Sequence, residues 1–295
     1  MSKALDKAAD HRKVAAEAGV RPRLLRLAFK ITRSLLIAYL LIVLLMTFLE
    51  NRLVYPIPPA SEGDWSPTGV DYEDVGIESA GGVTLHGWFF PREGASRAIL
   101  YLHGNSELVA DKPLLMKFLG NQFDAAVLKI DYRGYGKSGG RPHEAGLIAD
   151  GVAAQKWLAE KTDREPGEVL LIGRSLGGGV AVACAAELGA EALVLQSTFS
   201  RMTDAAAHHM PWLPVRLVMR NRYDSIARLQ QYEGPLFVSH GTVDKIVPFE
   251  LGRRLFDASP SKPKEFFTMP GQGHNQPMPR QYYDALGAFL EKAGQ

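Results

Sequence analysis

The sequence predicts an α/β fold: a mostly parallel sheet with an antiparallel opening hairpin, helices on both faces, and a short helical lid late in the chain. Three observations point there. From residue 72 onward, short apolar runs of strand type alternate with helical stretches, the pattern of a parallel sheet covered on both faces. Residues 72–79 and 83–90, joined across Ala80-Gly81-Gly82, read as a hairpin. The third is Gly173-Arg174-Ser175-Leu176-Gly177, set between the strand-like run 168–172 and the small, apolar run 178–188. It reads as a strand-to-helix turn with a serine at its tip. A single catalytic domain of about 240 residues lies within the usual range of domain sizes.

The chain opens with a basic tail. Residues 1–33 hold nine Lys and Arg against three Asp and Glu, which leaves 25 basic and 29 acidic residues in the remainder. The overall net charge of +2 thus joins a basic tail to a mildly acidic body. Residues 34–49 carry no charge and span about 24 Å as a helix. Ile31 and residues 53–55 extend the run, and Lys30, Arg33 and Arg52 can snorkel toward headgroups. A buried core helix would show a polar face, and this run has none.

The expectation is therefore a transmembrane anchor over 34–52. Cleavage as a signal peptide is the alternative, but Glu50-Asn51-Arg52-Leu53 stands where a small-residue cleavage site belongs. The positive-inside rule then keeps the tail in the cytoplasm and puts the remainder outside, as a single-pass protein. Anionic membrane lipid is the expected partner of the tail. Residues 53–71, rich in proline, read as a linker to a domain over 72–295. The folded part shows no basic run, so nucleic acid is not an expected partner. The lone Cys184 excludes an internal disulfide.

Within the domain, the run 98–102 ends at His103-Gly104-Asn105, and 125–130 ends at the turn-rich Asp131-Tyr132-Arg133-Gly134-Tyr135-Gly136-Lys137-Ser138. In that turn, Asp131 and Arg133 are expected to pair and brace the loop, with anion binding by Arg133 as the other reading. Residues 144–160 read as helix. The Gly-x-Ser-x-Gly turn needs small residues because a Cβ at either glycine would meet the neighbouring chain. The helix that begins there aims its first N–H groups at a reacting oxygen. The bland alternative is a glycine-rich turn in which Ser175 merely caps the helix.

A serine nucleophile needs a base and an acid, which in this arrangement follow in the order Ser, acid, His. After residue 233 the histidines are His240 and His274. His274 stands in the loop Pro270-Gly271-Gln272-Gly273-His274-Asn275, between the strand-like 265–269 and a helix over 282–291, and is expected to be the base. His240 ends the run 235–239 ahead of the acid, so it reads as structural. The acid is Asp244 in the turn after that run; Asp204, Asp224, Asp257 and Asp284 read as charges of the lid stretch or of helices. The oxyanion donors are expected to be the N–H groups of Leu176 and Asn105, with the Asn105 side chain as a helper. His103 is expected to prop its loop.

Between the run 193–196 and residue 235, residues 198–233 lack strand character and read as an insertion, which the family resemblance given below implies to be a small lid over the nucleophile. Met210, Trp212 and Leu213 there suit a greasy acyl group, although packing of the lid itself also uses such side chains. The adjacent His208 and His209 have no spacing suited to a metal, and no cofactor or metal is expected.

These motifs resemble, in order, the α/β-hydrolase family in its small-cap serine-hydrolase branch, from about residue 72 to the end. Within it, the chain is similar to membrane-tethered, single-span hydrolase-domain proteins, some of whose relatives are acyl-protein thioesterases. Those relatives carry a cysteine-rich, lipidated N-terminus, and this chain departs from them, its one cysteine being Cys184. The resemblance implies a membrane-anchored serine esterase or thioesterase acting on a small-molecule acyl ester or thioester. A peptidase or amidase of the same fold and a non-catalytic ligand-binding member are the alternatives.

Overall fold

The computed structural model describes residues 2–294, with side chains from Leu25 onward. By contacts it divides into two units, residues 1–49 and residues 50–295. The first lies within the helix α1 (Ser2–Val54). Leu25–Val54 of that helix is long and apolar enough to cross a membrane, with mean hydropathy 2.2.

The second unit is built on eight strands: β1 (Glu73–Ser79), β2 (Val83–Phe90), β3 (Arg97–Leu102), β4 (Ala125–Ile130), β5 (Val169–Arg174), β6 (Leu193–Gln196), β7 (Leu236–Gly241) and β8 (Lys264–Met269). They form one sheet in the order β1-β2-β4-β3-β5-β6-β7-β8. β2 runs antiparallel to both β1 and β4, and every other pairing is parallel. The sheet is thus the mostly parallel one expected from the alternation of short apolar runs, with the antiparallel opening hairpin, and the fold is the α/β-hydrolase fold that the resemblance implied. Strands β4 to β7 are buried at every position, as parallel strands with covered faces must be.

Two apolar clusters fill the two faces. One gathers the inward side chains of α3 (Glu144–Lys161) and α4 (Leu176–Leu188) around Leu100, Leu128 and Leu171. The other packs α2 (Pro113–Gln122) and the C-terminal helix (Arg280–Ala293) against Ile99, Val127 and Phe237. The insertion after β6 forms α5 (Met202–His209), α6 (Val215–Val218) and α7 (Ser225–Leu229). The remaining helices are α8 (Phe249–Ala258) and the C-terminal α9 (Arg280–Ala293).

Two expectations are corrected. Residues 53–71 are not a free tether: Tyr55 is buried in the main core cluster and Trp65 packs on Trp88. Proline content reports an extended backbone but not what an aromatic at its edge will cover. Arg133 does not pair with Asp131. It makes a multidentate pair with Asp150 of α3, at 2.7 Å from Nη2, and its backbone N–H donates to the same carboxylate at 2.8 Å. Asp131 instead accepts the N–H of Val109 at 2.7 Å.

Candidate active site

The chain reaches the carboxyl ends of β3, β5, β7 and β8 on one edge of the sheet, where parallel strands open a crevice. Ser175 follows β5 with φ 52° and ψ −115°, a conformation unfavourable for any residue with a Cβ. The turn that forces it has no room for side chains. A Cβ on Gly177 would stand 2.1 Å from the Leu102 carbonyl, and one on Gly173 2.6 Å from the Ala181 Cβ. The carbonyl of Ser175 accepts from Thr198 Oγ1 at 2.8 Å, and its N–H donates to Gln196 at 2.9 Å.

The structure brings Ser175, His274 and Asp244 together. His274 Nε2 lies 3.0 Å from Ser175 Oγ, and His274 Nδ1 lies 2.7 Å from Asp244 Oδ2. The other carboxylate oxygen of Asp244 accepts the N–H groups of Ile246 and Val247 at 2.9 and 2.8 Å. Burial pushes the Asp244 carboxyl up, but the hydrogen bonds to His240 and His274, the His274 charge and the Val247 N–H outweigh it and hold the group well below the usual carboxylate range. The acid is therefore an anion facing the imidazole, a geometry that orients one nitrogen toward a hydroxyl.

Leu176 opens α4, so its N–H has no partner within the helix. Asn105 follows β3 directly after His103 and Gly104. Its side chain does not act as a spare donor toward the serine: Nδ2 donates to the Val54 carbonyl, and Oδ1 accepts from Tyr135 at 2.7 Å. The helper role expected for it finds no support in these contacts, because both ends of the amide are already engaged, by Val54 and by Tyr135. His103 is fully buried and its Nδ1 donates to the Gly104 carbonyl at 2.7 Å. Burial lowers its pKa, which favours the neutral ring.

Two further supports stand beside these residues: Arg174, which the sequence reading did not single out, and His240, which it read as structural. Arg174, adjacent to the serine, donates through Nη2 to the His274 carbonyl at 2.9 Å and to Asn275 Oδ1 at 3.1 Å. Its other nitrogen faces Glu107 at 3.4 Å. Glu107 also faces Lys129 and Lys112 at 3.2 and 3.1 Å. Burial raises the Glu107 carboxyl, yet these cations bring it down to about 2. A large cation at the second position of the Gly-x-Ser-x-Gly turn was the available signal. His240 is the other: its Nε2 donates to the Val247 carbonyl at 2.8 Å and lies 3.3 Å from Asp244 Oδ2.

Leu213 is buried and lines a cleft of about 470 Å³ with Pro211, Val215 and Leu251, and none of Ser175, Asp244 and His274 lines it. Met210 is half-buried and Trp212 is exposed. The lid does touch the acid turn, where His209 Nε2 donates to the Ile246 carbonyl at 2.8 Å. A second cleft, about 620 Å³, is lined by Asn105, Glu107, Arg174 and Asn275, residues that flank the serine and the imidazole. Among the described residues no cluster of His, Cys, Asp and Glu has metal-binding geometry.

Comparison with known proteins gives four findings. A family model described as the alpha/beta hydrolase family matches residues 83–290. Rv2307c, an uncharacterised protein of Mycobacterium tuberculosis, is 39% identical over 254 residues, covering 82% of this chain and 87% of its own length. YNL320W, described as a membrane protein of Saccharomyces cerevisiae, is 28% identical over 255 residues, 83% of this chain and 90% of its own. Among solved structures, the esterase Pf2001 of Pyrococcus furiosus matches in fold with a TM-score of 0.67 at 24% identity, over 81% of this chain and 97% of that one.

Proposed function

The chain belongs to the alpha/beta hydrolase family, and from that premise we propose that it is a membrane-anchored serine hydrolase of carboxylic esters or thioesters. The observation that carries the reading is the unbroken relay from Ser175 Oγ to His274 Nε2 and from His274 Nδ1 to Asp244. Ser175 attacks the acyl carbonyl while His274 takes its proton, and the N–H groups of Leu176 and Asn105 hold the oxyanion. The protonated imidazole then gives its proton to the departing alcohol or thiol. Water, activated by the same imidazole, releases the acid and restores the serine. Each half-reaction conserves charge at the carboxylate, which stays ionised throughout.

Acyl groups of lipid-like substrates are the preferred cargo on two grounds. The insertion after β6 is apolar at Trp212 and Leu213, and the helix over 25–54 holds the enzyme where such substrates dissolve. An anchored orientation with the basic tail cytoplasmic follows from the charge asymmetry of the first 33 residues.

The test is hydrolysis by the full chain in detergent of a panel of p-nitrophenyl esters and acyl thioesters of rising chain length, with aminoacyl anilides as the amide arm. Ester or thioester turnover that vanishes in Ser175→Ala is the expected result. Turnover of the anilides alone would replace the esterase reading with a peptidase one.

A further inference from the structure

The last turn of α1 and the residues after it are bonded to two parts of the site at once. Glu50 is buried, and its Oε1 accepts the backbone N–H groups of Arg220 and Asn221 at 2.9 and 2.7 Å and the Asn221 side-chain amide at 2.7 Å. Tyr55 is buried beside it, donating to Asn221 Oδ1 at 2.8 Å and sharing a 2.9 Å hydrogen bond with the Tyr223 hydroxyl. Residues 220–223 belong to the insertion after β6. On the other side, the Val54 carbonyl accepts from Asn105 Nδ2 and the Pro56 carbonyl from Ser106 Oγ at 3.0 Å.

Ser106 has φ 55°, a left-handed conformation that a serine adopts only under constraint. The two carbonyls thus hold both Asn105, the proposed oxyanion donor, and its strained successor. The opposite side of the Asn105 amide is held by Tyr135 at 2.7 Å. The Val54 and Pro56 carbonyls, which could have turned to water, are instead spent on the loop after β3, while the Glu50 carboxylate is spent on the insertion.

We propose that residues 50–56 form a clamp that sets the oxyanion loop, with Glu50 and Tyr55 as positioning residues: their bonds to residues 220–223 fix the segment whose Val54 and Pro56 carbonyls hold Asn105 and Ser106. The membrane-proximal end of α1 is then a working part of the catalytic unit rather than a leash, and an enzyme cut after the clamp loses rate rather than substrate affinity. The inference rests on the serine-hydrolase reading above.

The experiment uses full-length chain in detergent and two variants. Glu50→Ala opens the clamp from the lid side. Ser106→Gly removes the tie to Pro56 while relieving the left-handed strain, since glycine adopts φ 55° freely. Both are expected to lower kcat for a p-nitrophenyl ester about tenfold, because a small misplacement of an oxyanion donor costs rate steeply. KM should stay within about twofold, because the ground-state carbonyl makes little use of that donor. Ser106→Gly should do so with an unchanged or higher melting temperature, a split that a merely structural residue does not give. Amide hydrogen exchange of the peptide over 103–108 is read in parallel and should accelerate in Glu50→Ala. If wild type turns over and both variants match it in kcat, the clamp is overturned while the hydrolase reading stands. If wild type neither turns over nor reacts with a fluorophosphonate, the hydrolase reading fails, and unchanged exchange in Glu50→Ala overturns the clamp independently.

Discussion

At Ser175 the chain holds a backbone conformation costing on the order of 1–3 kcal/mol, secured by Thr198 on its carbonyl and Gln196 on its N–H. The strain sets the hydroxyl 3.0 Å from His274, at the hydrogen-bond distance proton transfer requires. The imidazole is useful only in the tautomer that leaves Nε2 free to accept, and Asp244 is what selects it. Asp244→Asn keeps the shape and loses the charge, so it should lower kcat by about 10³- to 10⁴-fold with little change in KM. Steady-state kinetics of the purified variant checks this, and a loss under about tenfold would remove Asp244 from the relay. His240 shares the same carboxylate oxygen at 3.3 Å, and Gly252 leaves it room: a Cβ there would stand 2.2 Å from His240 Nδ1. Gly252→Ala should therefore displace His240 and destabilise the fold by about 1–3 kcal/mol, measured by denaturant unfolding; an unchanged midpoint would show that the ring can move aside.

At the scale of elements, the Arg133–Asp150 pair ties the turn after β4 to α3. Both groups are buried, and Asp150 also accepts from Ser79 at 2.7 Å, so the pair joins three elements. Asp150→Ala leaves a buried guanidinium uncompensated and should cost about 3–5 kcal/mol, read as a lowered unfolding midpoint. A cost below about 1 kcal/mol would mean that water replaces the carboxylate. This contact also marks the limit of what the sequence discloses. The strands were legible because parallel, two-sided burial leaves continuous apolar runs, as at 125–130 and 168–172. The grouping of Ser175, Asp244 and His274 was legible because each follows a strand run, in a fixed order. The partner of Arg133 was not legible: Asp131 is nearer in sequence, and only the docking of α3 brings Asp150 to the guanidinium. Arg174 was missed for the same reason, since its acceptors lie a hundred residues downstream on the His274 loop. The lid composition announced apolar packing but not whether Leu213 would face the serine or, as it does, a cleft between the insertion and α8.

Across the whole molecule, the charges that matter to the site are buried together. Glu107, lowered to about 2 by Lys129, Lys112 and Arg174, and Asp244, lowered further still, are anions in the folded state. Their folded-state pKa values lie below the unfolded ones, so their stabilisation is complete above the ordinary carboxylate range near 4.5 and is lost as pH falls toward about 2. The melting temperature of the full chain should accordingly drop through that window, and Glu107→Gln should flatten the drop while lowering stability at neutral pH. An acid limb identical in the variant would take Glu107 out of the account. The proposed anchor makes a claim at the same scale. The chain should remain with membranes after alkaline carbonate washing, and protease added to intact cells should reach the catalytic unit but not residues 1–33; protection of the catalytic unit would reverse the proposed orientation.

The proposed chemistry depends on one serine being a nucleophile because a histidine from a loop a hundred residues later accepts its proton. A fluorophosphonate probe reports on that alone: incubation with the full chain, followed by intact mass and peptide mapping, should find a single adduct on Ser175 that is absent in Ser175→Ala and strongly slowed in His274→Ala. An adduct on another residue, or equal labelling of wild type and Ser175→Ala, would contradict the account.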